Sequence, residues 1–299
     1  MYKRIGYGSL MIALLAGLLA LDGWIEHEVR ARQAELTPPD GVALFAAPLA
    51  IAIVVVAVPA FLEVVRLAAR ANVLVLRVSG LFGVIMLGTL PFWWQFTGVA
   101  LGGGAALGIV AAAVMLIFAE QMIGFSREDA LRRVGATALA VVYLGLGFAL
   151  MLGIRFGFGV PALAMFLLTV KFTDIGAYFA GKAFGRHKLV PSISPGNSWE
   201  GLAGGLVAGV GVSLLGATWL SRLPGTSLGR VSLTEAAVFG VFVALAGQFA
   251  DLCESLLKRS AKAKDSGQVV PEFGGVLDIL DSPLLAAPVA YGLLTTFTA

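Results

Sequence analysis

Apolar runs of about 20 residues recur along the whole of this chain and alternate with short polar segments. As an α-helix, a run of that length crosses the roughly 30 Å hydrocarbon core of a bilayer. The pattern therefore predicts an all-α, polytopic integral membrane protein with about nine transmembrane helices. The predicted spans are residues 5–21, 42–62, 78–96, 98–118, 136–153, 158–179, 201–220, 234–257 and 282–298.

Composition supports this class. Hydrophobic residues make up 59% of the 299 positions, charged residues 13%, and the mean hydropathy is +0.92, which excludes a soluble globular protein. The first span follows Lys3 and Arg4 and so also fits a signal peptide, but no small-residue cleavage site precedes Asp22, which favours an uncleaved helix. The single cysteine, Cys253, excludes an intramolecular disulfide.

The distribution of positive charge predicts the orientation. With the N-terminus in the cytoplasm, nine spans place sixteen of the 21 lysines and arginines on the cytoplasmic side. Cytoplasmic loops of membrane proteins carry this excess, so we predict an inner-membrane protein with its N-terminus inside. The pI near 9.1 then reflects topology and a surface suited to anionic headgroups, with no role in nucleic-acid binding.

The chain changes character near residue 157. Residues 1–157 are predicted to form about five transmembrane helices with no polar cluster inside a helix, and residues 158–299 a catalytic region of about four spans with cytoplasmic loops. In the seventh predicted span, Gly201, Gly205 and Gly209 repeat the small-residue spacing that permits close helix packing.

The first polar segment of the C-terminal region combines an acid, an aromatic hydroxyl and several cations. Asp174 and Tyr178 lie one helical turn apart, so both face the same side. Lys182, with Arg186 and Lys188, supplies positive charge for phosphates. Ser194 and Asn197 belong to a turn rich in polar groups before a predicted helix, whose N-terminus favours an anion. An ordinary positive loop with helix caps is the alternative.

The second polar segment is more specific. Asp251 and Glu254 are three residues apart near the end of a predicted span, and Asp278 and Asp281 repeat that spacing before the last span. Carboxylates arranged in this way suit Mg²⁺, which takes oxygen ligands and shares its shell with substrate phosphates. Lysines and arginines between the two pairs supply charge opposite to a polyphosphate: Lys258, Arg259, Lys262 and Lys264.

Residues 255–281 resemble the signature of the phosphatidate cytidylyltransferases, the CDP-diacylglycerol synthases. That signature reads Ser-x-x-Lys-Arg, four residues, Lys-Asp, and later Pro-x-His-Gly-Gly-x-x-Asp-Arg-x-Asp, and the chain follows its spacing without a gap. The stretch from Asp174 to Gly201 resembles a second motif of the family. Together the matches cover about residues 170–285.

The resemblance implies a membrane enzyme that condenses CTP with phosphatidate, releases pyrophosphate and requires Mg²⁺. A second cation and a homodimer stay open. The implied metal ligands are Asp251, Glu254, Asp278 and Asp281, and the implied catalytic residues are Ser255, Lys258, Arg259, Lys264 and Asp265. The implied substrate-binding residues are Asp174, Tyr178, Lys182, Ser194, Asn197, Gly274 and Gly275.

The chain departs from the family pattern at three places. Phe273 stands at the histidine position of the signature and Ile279 at its arginine position. In the second motif, Gly196-Asn197-Ser198 follows Ser194-Pro195, where the family often has a triplet that contains lysine. A CTP-dependent lipid enzyme of altered specificity and a non-catalytic lipid-binding protein therefore stay open. A transporter fits less well, because the acids fall within one half of the chain and toward predicted cytoplasmic helix ends.

We predict that Phe273→His is tolerated, since it restores the residue that the family pattern carries beside Gly274-Gly275. The rate of pyrophosphate release from CTP and phosphatidate measures the effect. A large gain in rate would show instead that Phe273 is a defect in the site.

Overall fold

The computed structural model describes residues 2–33, 46–97, 103–223, 225–269 and 274–298. Its helices are α1 (Tyr2–Gln33), α2 (Ala47–Arg70), α3 (Arg77–Gly88), α4 (Leu90–Thr97), α5 (Gly103–Gly124), α6 (Ala130–Ala140), α7 (Gly147–Phe158), α8 (Val160–Phe184), α9 (Trp199–Trp219), α10 (Leu233–Ser260) and α11 (Leu277–Thr298). A π-helical segment, Val141–Leu146, joins α6 to α7, and the strands β1 (Lys188–Val190) and β2 (Ser194–Ser198) form an antiparallel hairpin.

The predicted class is confirmed: within the described residues, eight helices are long and apolar enough to cross a membrane. The chain is an integral membrane protein. The third predicted span, 78–96, consists of the two shorter helices α3 and α4, separated at Thr89. Pro91 accounts for the break, because proline has no N–H to donate to the preceding turn and is favoured in the first turn of a new helix. The starts of predicted spans 42–62 and 98–118 lie outside the described residues.

The chain divides into two compact units. The first comprises Met1–Leu152 with Asp265–Leu277. In it, α3 packs against the π-helical segment and α5, around buried side chains such as Leu76, Val84 and Leu144. The Glu120 carboxylate caps the start of α3 by accepting a hydrogen bond from the Ser79 N–H at 2.7 Å.

The expectation that the N-terminal spans carry no polar cluster is wrong at Glu63. This α2 carboxylate is fully buried and accepts hydrogen bonds from Ser266, Val276 and Leu277. The donors lie more than 200 positions after Glu63 in the chain, so the hydrophobic pattern around Glu63 does not predict them.

The second unit comprises Gly153–Lys264 with Asp278–Ala299. Its most extensive helix contact joins α8 to α9, followed by the contact of α9 with α10. Capping side chains fix the N-terminal ends of α9 and α10. The Ser198 hydroxyl caps α9 by accepting from the Gly201 N–H at 3.1 Å, and Ser232 with Glu235 forms a capping box that starts α10. The predicted domain division at residue 157 stays a prediction.

Glycines on α9 allow its close approach to α8, as their spacing predicted. A Cβ at Gly205 would lie 2.9 Å from the Thr173 carbonyl oxygen, and one at Gly201 would lie 2.9 Å from the Ala177 carbonyl oxygen. Both distances are too short for a carbon atom, so the backbones can meet only where no side chain intervenes. This contact brings the face of α8 that carries Asp174 alongside the start of α9.

The hairpin of β1 and β2 was not part of the all-α prediction. It occupies the polar segment between α8 and α9, with Lys188 opposite Ser198 and Val190 opposite Ser194. Its short strands place Asn197 one residue before the cap of α9.

We expect Gly205→Ala to lower the free energy of unfolding by about 1–3 kcal/mol, because the new methyl group is forced against the α8 backbone. Gly211→Ala is the matched control, since no atom lies within 4 Å of a Cβ at that position of the same helix. Thermal unfolding in detergent measures both variants. Equal midpoints would contradict the packing role of Gly205.

Candidate active site

A cavity of about 520 Å³ lies in the second unit, among α8, the hairpin, α9, α10 and α11. Its lining is polar and carries both signs of charge. The lining residues are Asp174, Ala177, Tyr178, Gly181, Lys182, Lys188, Gly196, Asn197, Ser198, Gly201, Leu202, Gln248, Asp251, Asp278, Asp281 and Ser282. The structure thus gathers into one place residues that the sequence separates by more than 100 positions.

One face of α8 supplies an acid, an aromatic hydroxyl and a cation. Asp174, Tyr178 and Lys182 follow one another at one-turn intervals and all line the cavity, as their spacing predicted. The Lys182 ammonium lies 5.8 Å from the centre of the Tyr178 ring, within cation–π range. Gly181 lies on the same helix and opens space beside Ser198.

Asn197 connects the hairpin to α10. Its side-chain N–H donates to the Asp251 carboxylate at 2.7 Å. This hydrogen bond orients one carboxylate oxygen and holds Asp251 against the cavity wall. Gln248 lies three residues earlier on α10, on the same face, and lines the cavity as well.

Lys171 links α8 to the start of α11. Its ammonium donates to the Ile279 carbonyl oxygen at 2.8 Å and lies 3.7 Å from the Asp174 carboxylate. The Asp281 carboxylate accepts a hydrogen bond from the Ser282 N–H at 2.6 Å. Asp174, Asp251 and Asp281 lie within electrostatic range of one another, and Lys171 offsets part of their mutual repulsion.

Lys258 neutralises the other two predicted metal ligands. Its ammonium forms an ion pair with Glu254, one turn earlier on α10, and a second with Asp278 at 2.8 Å. Glu254 is fully buried and Asp278 is nearly so, which makes a matching cation necessary. The Glu254–Lys258 ion pair has the i, i+4 spacing at which two side chains meet on a helix, so it was predictable from the sequence. Glu254 was predicted instead to bind a metal.

The remaining aspartates fit Mg²⁺ in part. Among the described residues, no group of three or more His, Cys, Asp or Glu side chains is placed to hold a metal ion on its own. Mg²⁺ in phosphate-transfer sites needs only one or two carboxylates, because waters and substrate phosphates complete its shell. Asp174, Asp251 and Asp281 present carboxylates to one cavity that also holds Lys182 and Lys188, so this donor set suits a metal arriving with a polyphosphate.

Several predicted site residues do not line this cavity in the described part of the chain. They are Ser194, Glu254, Ser255, Lys258, Arg259, Lys264, Asp265, Gly274 and Gly275. Arg259 instead donates to the backbone oxygens of Ile193 and Ala263, and Gly275 lies beside the Glu63 carboxylate. Their direct roles in binding or catalysis stay predictions.

Lys171, Gln248 and Ser282 belong to the site, although none of them was among the predicted site residues. Lys171 and Gln248 carry a readable signal, since each lies three residues before a predicted acid on the same helix face. Of the three departures from the family pattern, Asn197 orients Asp251 and Ile279 offers its carbonyl to Lys171. Phe273 lies outside the described residues.

Comparison with known proteins fits this geometry. The family model described as "Cytidylyltransferase family" matches residues 41–297. The chain belongs to the cytidylyltransferase family. This confirms the resemblance found in residues 255–281, and the match extends well into the N-terminal half.

Individual relatives carry the name phosphatidate cytidylyltransferase. The protein of Bacillus subtilis (strain 168) is 33% identical over 73% of this chain and 79% of its own length. That of Mycobacterium leprae (strain TN) is 33% identical over 78% of this chain and 75% of its own length. The alignment with the Chlamydia muridarum protein (strain MoPn / Nigg) is 36% identical but spans only 58% of that protein.

We expect Lys258→Met to lower the free energy of unfolding by about 3–5 kcal/mol, because it leaves the buried Glu254 carboxylate without a cation. The double variant Lys258→Met, Glu254→Gln should recover a large part of that loss. Lys262→Met is the control, since Lys262 is an exposed member of the same basic run. Equal stability of the Lys258 and Lys262 variants would contradict the ion-pair role.

Proposed function

We propose that this protein condenses CTP with phosphatidate to give CDP-diacylglycerol and pyrophosphate. The observation that carries the proposal is the cavity at the ends of membrane-spanning helices, which is lined by four aspartates and two lysines. Relatives named phosphatidate cytidylyltransferase support the same reaction class. Anionic phosphates and a divalent cation are the ligands that such a mixed lining suits.

The reaction needs positioning and neutralisation of charge more than covalent chemistry. A phosphate oxygen of phosphatidate bonds to the α-phosphorus of CTP, the bond from that phosphorus to the bridging oxygen breaks, and pyrophosphate leaves with its electron pair. Lys182 and Lys188 lie on the cavity wall, where they can hold the phosphates. Tyr178 and Ser198 offer hydroxyl groups to the nucleotide or the lipid phosphate.

Asp174, Asp251 and Asp281 would hold Mg²⁺, which when bound offsets the charge of the triphosphate and stabilises the leaving oxygens. Asn197 then orients the Asp251 carboxylate, and Lys171 lies beside that of Asp174. A second cation would use the same group of acids. Lys258 does not line the cavity. Its ion pair holds the side chain of Asp278, the second residue of α11, in place.

The site is proposed to face the cytoplasm, where CTP is present. The excess of lysine and arginine on one predicted side supports this orientation. The acyl chains of phosphatidate then stay in the bilayer while its headgroup enters the cavity. A homodimer, if it forms, would show as a doubled protein mass in detergent.

A lipid enzyme of changed specificity is the second candidate. Ile279 favours it, because the family pattern carries arginine there and an aliphatic side chain cannot bind phosphate. The two candidates differ in which phospholipid acceptor supports turnover with CTP.

The direct test is pyrophosphate release by the purified protein in detergent, given CTP, phosphatidate and Mg²⁺. We expect pyrophosphate release that needs CTP, phosphatidate and Mg²⁺ together and that stops when EDTA is added. The lipid product should be CDP-diacylglycerol. Turnover only with another phosphorylated lipid would favour changed specificity. No turnover from folded protein, beside an active relative, would contradict both candidates.

We expect Asp281→Asn to lower the rate by at least about a hundredfold, since the amide keeps the shape of the side chain but removes a charged oxygen ligand. Asp278→Asn should lower it as well, because it weakens the Lys258 ion pair that fixes α11. Asp129→Asn, on an exposed loop, is the control. Full activity of Asp281→Asn with an unchanged unfolding midpoint would remove its proposed metal role.

A further inference from the structure

Glu63 is a fully buried acid inside the membrane-spanning helix α2, and the proposed chemistry does not use it. An ionisable side chain at such a position is costly unless it has compensating partners. Its partners belong to the segment Asp265–Leu277, which contains the second half of the family signature. This arrangement raises the question of what the carboxylate does for that segment.

In the described part of the chain, three groups donate hydrogen bonds to the Glu63 carboxylate. The Ser266 hydroxyl donates at 2.9 Å, the Val276 N–H at 3.0 Å and the Leu277 N–H at 2.8 Å. One donor lies near the start of the segment and two lie at its end. A single buried group therefore holds both described ends of the segment together.

Two of these donors belong to the start of α11. Leu277 is the first residue of that helix, and the first N–H groups of a helix have no partner within it. The Glu63 carboxylate satisfies two such groups and places negative charge at the positive end of the helix dipole. Glu63 thus caps α11 from a distant part of the sequence.

The glycines of the segment make room for this carboxylate. A Cβ at Gly267 would lie 2.8 Å from the Glu63 carboxyl carbon, and one at Gly275 would lie 2.6 Å from it. Either methyl group would displace the carboxylate or the loop. This contact gives Gly275 a structural role in addition to its predicted role in substrate binding.

We propose that Glu63 is a positioning residue for the reaction: it fixes the start of α11 and with it Asp278 and Asp281, one and four residues beyond Leu277. The proposal rests on the proposed function for its kinetic consequence. It does not rest on that function for its structural consequence, which is protection of the Val276 and Leu277 amides.

The first test replaces Glu63 with glutamine in the full-length protein. Hydrogen–deuterium exchange should quicken at Val276 and Leu277, because an amide is a poorer acceptor and turns its own N–H groups toward other donors. The rate constant kcat should fall by at least about tenfold, while the KM values for CTP and phosphatidate stay within about twofold. A loss of folded protein alone would quicken exchange at protected amides throughout the chain and not selectively at Val276 and Leu277.

Glu120→Gln is the matched control. Glu120 also caps a helix by accepting backbone N–H groups, but α3 carries no proposed site residue. Exchange should quicken at Val78 and Ser79 without an effect on kcat beyond about twofold. An equal loss of kcat in both variants, or unchanged exchange at Val276 and Leu277 in Glu63→Gln, would overturn the proposal.

A second comparison stays informative if Glu63→Gln folds poorly. Gly275→Ala should lower kcat in the native background, because its methyl group meets the carboxylate. In a Glu63→Ala background the same change should lower kcat much less, since the space is then free. If Gly275→Ala lowered kcat by the same factor in both backgrounds, Gly275 would be assigned to substrate binding and its link to Glu63 would be overturned. An inactive native protein with the expected exchange would reject the function and retain the capping role.

Discussion

Several carboxylates of this protein are buried within its membrane-spanning helices, and their partners determine how the helices of the site are arranged. Each such carboxylate needs a compensating group, because the bilayer offers no water to solvate it. Lys258 compensates Glu254 and Asp278, Lys171 compensates Asp174, and the start of α11 compensates Glu63. Lys258 joins α10 to α11, and Lys171 joins α8 to α11. Asp251, Asp278 and Asp281 line the cavity together with Asp174.

Helix packing sets the shape of that cavity. The glycines of α9 let its backbone approach α8, and the Ser198 cap starts α9 directly after the hairpin. Asn197 therefore comes within hydrogen-bond distance of Asp251 on α10. The result is a small polar space at the ends of apolar helices. Such a space suits the proposed reaction, in which a water-soluble nucleotide meets the headgroup of a lipid whose acyl chains remain in the bilayer.

Much of this architecture was predictable from sequence because the signals are local. Hydrophobic run length predicts most of the helices, and one-turn spacing brings Asp174, Tyr178 and Lys182 to one face. Spacing does not by itself identify the partner of a side chain: Asp251 and Glu254 share a face of α10, and Glu254 forms an ion pair with Lys258 one turn later. Pro91 carried a readable signal for the break in the third predicted span.

The parts that sequence could not predict depend on distant contacts. Glu63 meets its donors more than 200 residues away, and no local pattern in α2 identifies them. Lys171 meets the Ile279 carbonyl across 108 positions. The hairpin between α8 and α9 forms from segments of three and five residues, too short for an alternating pattern to identify.

The central claim is that the cavity lined by Asp174, Asp251 and Asp281 binds the metal–nucleotide complex. Anomalous X-ray diffraction from crystals soaked with Mn²⁺ and CTP tests it most directly, because Mn²⁺ accepts the same oxygen ligands as Mg²⁺ and can be located by its own scattering. We expect a Mn²⁺ peak between these carboxylates and the triphosphate, with Lys182 or Lys188 contacting the phosphates. Bound CTP with its metal elsewhere in the protein would contradict it.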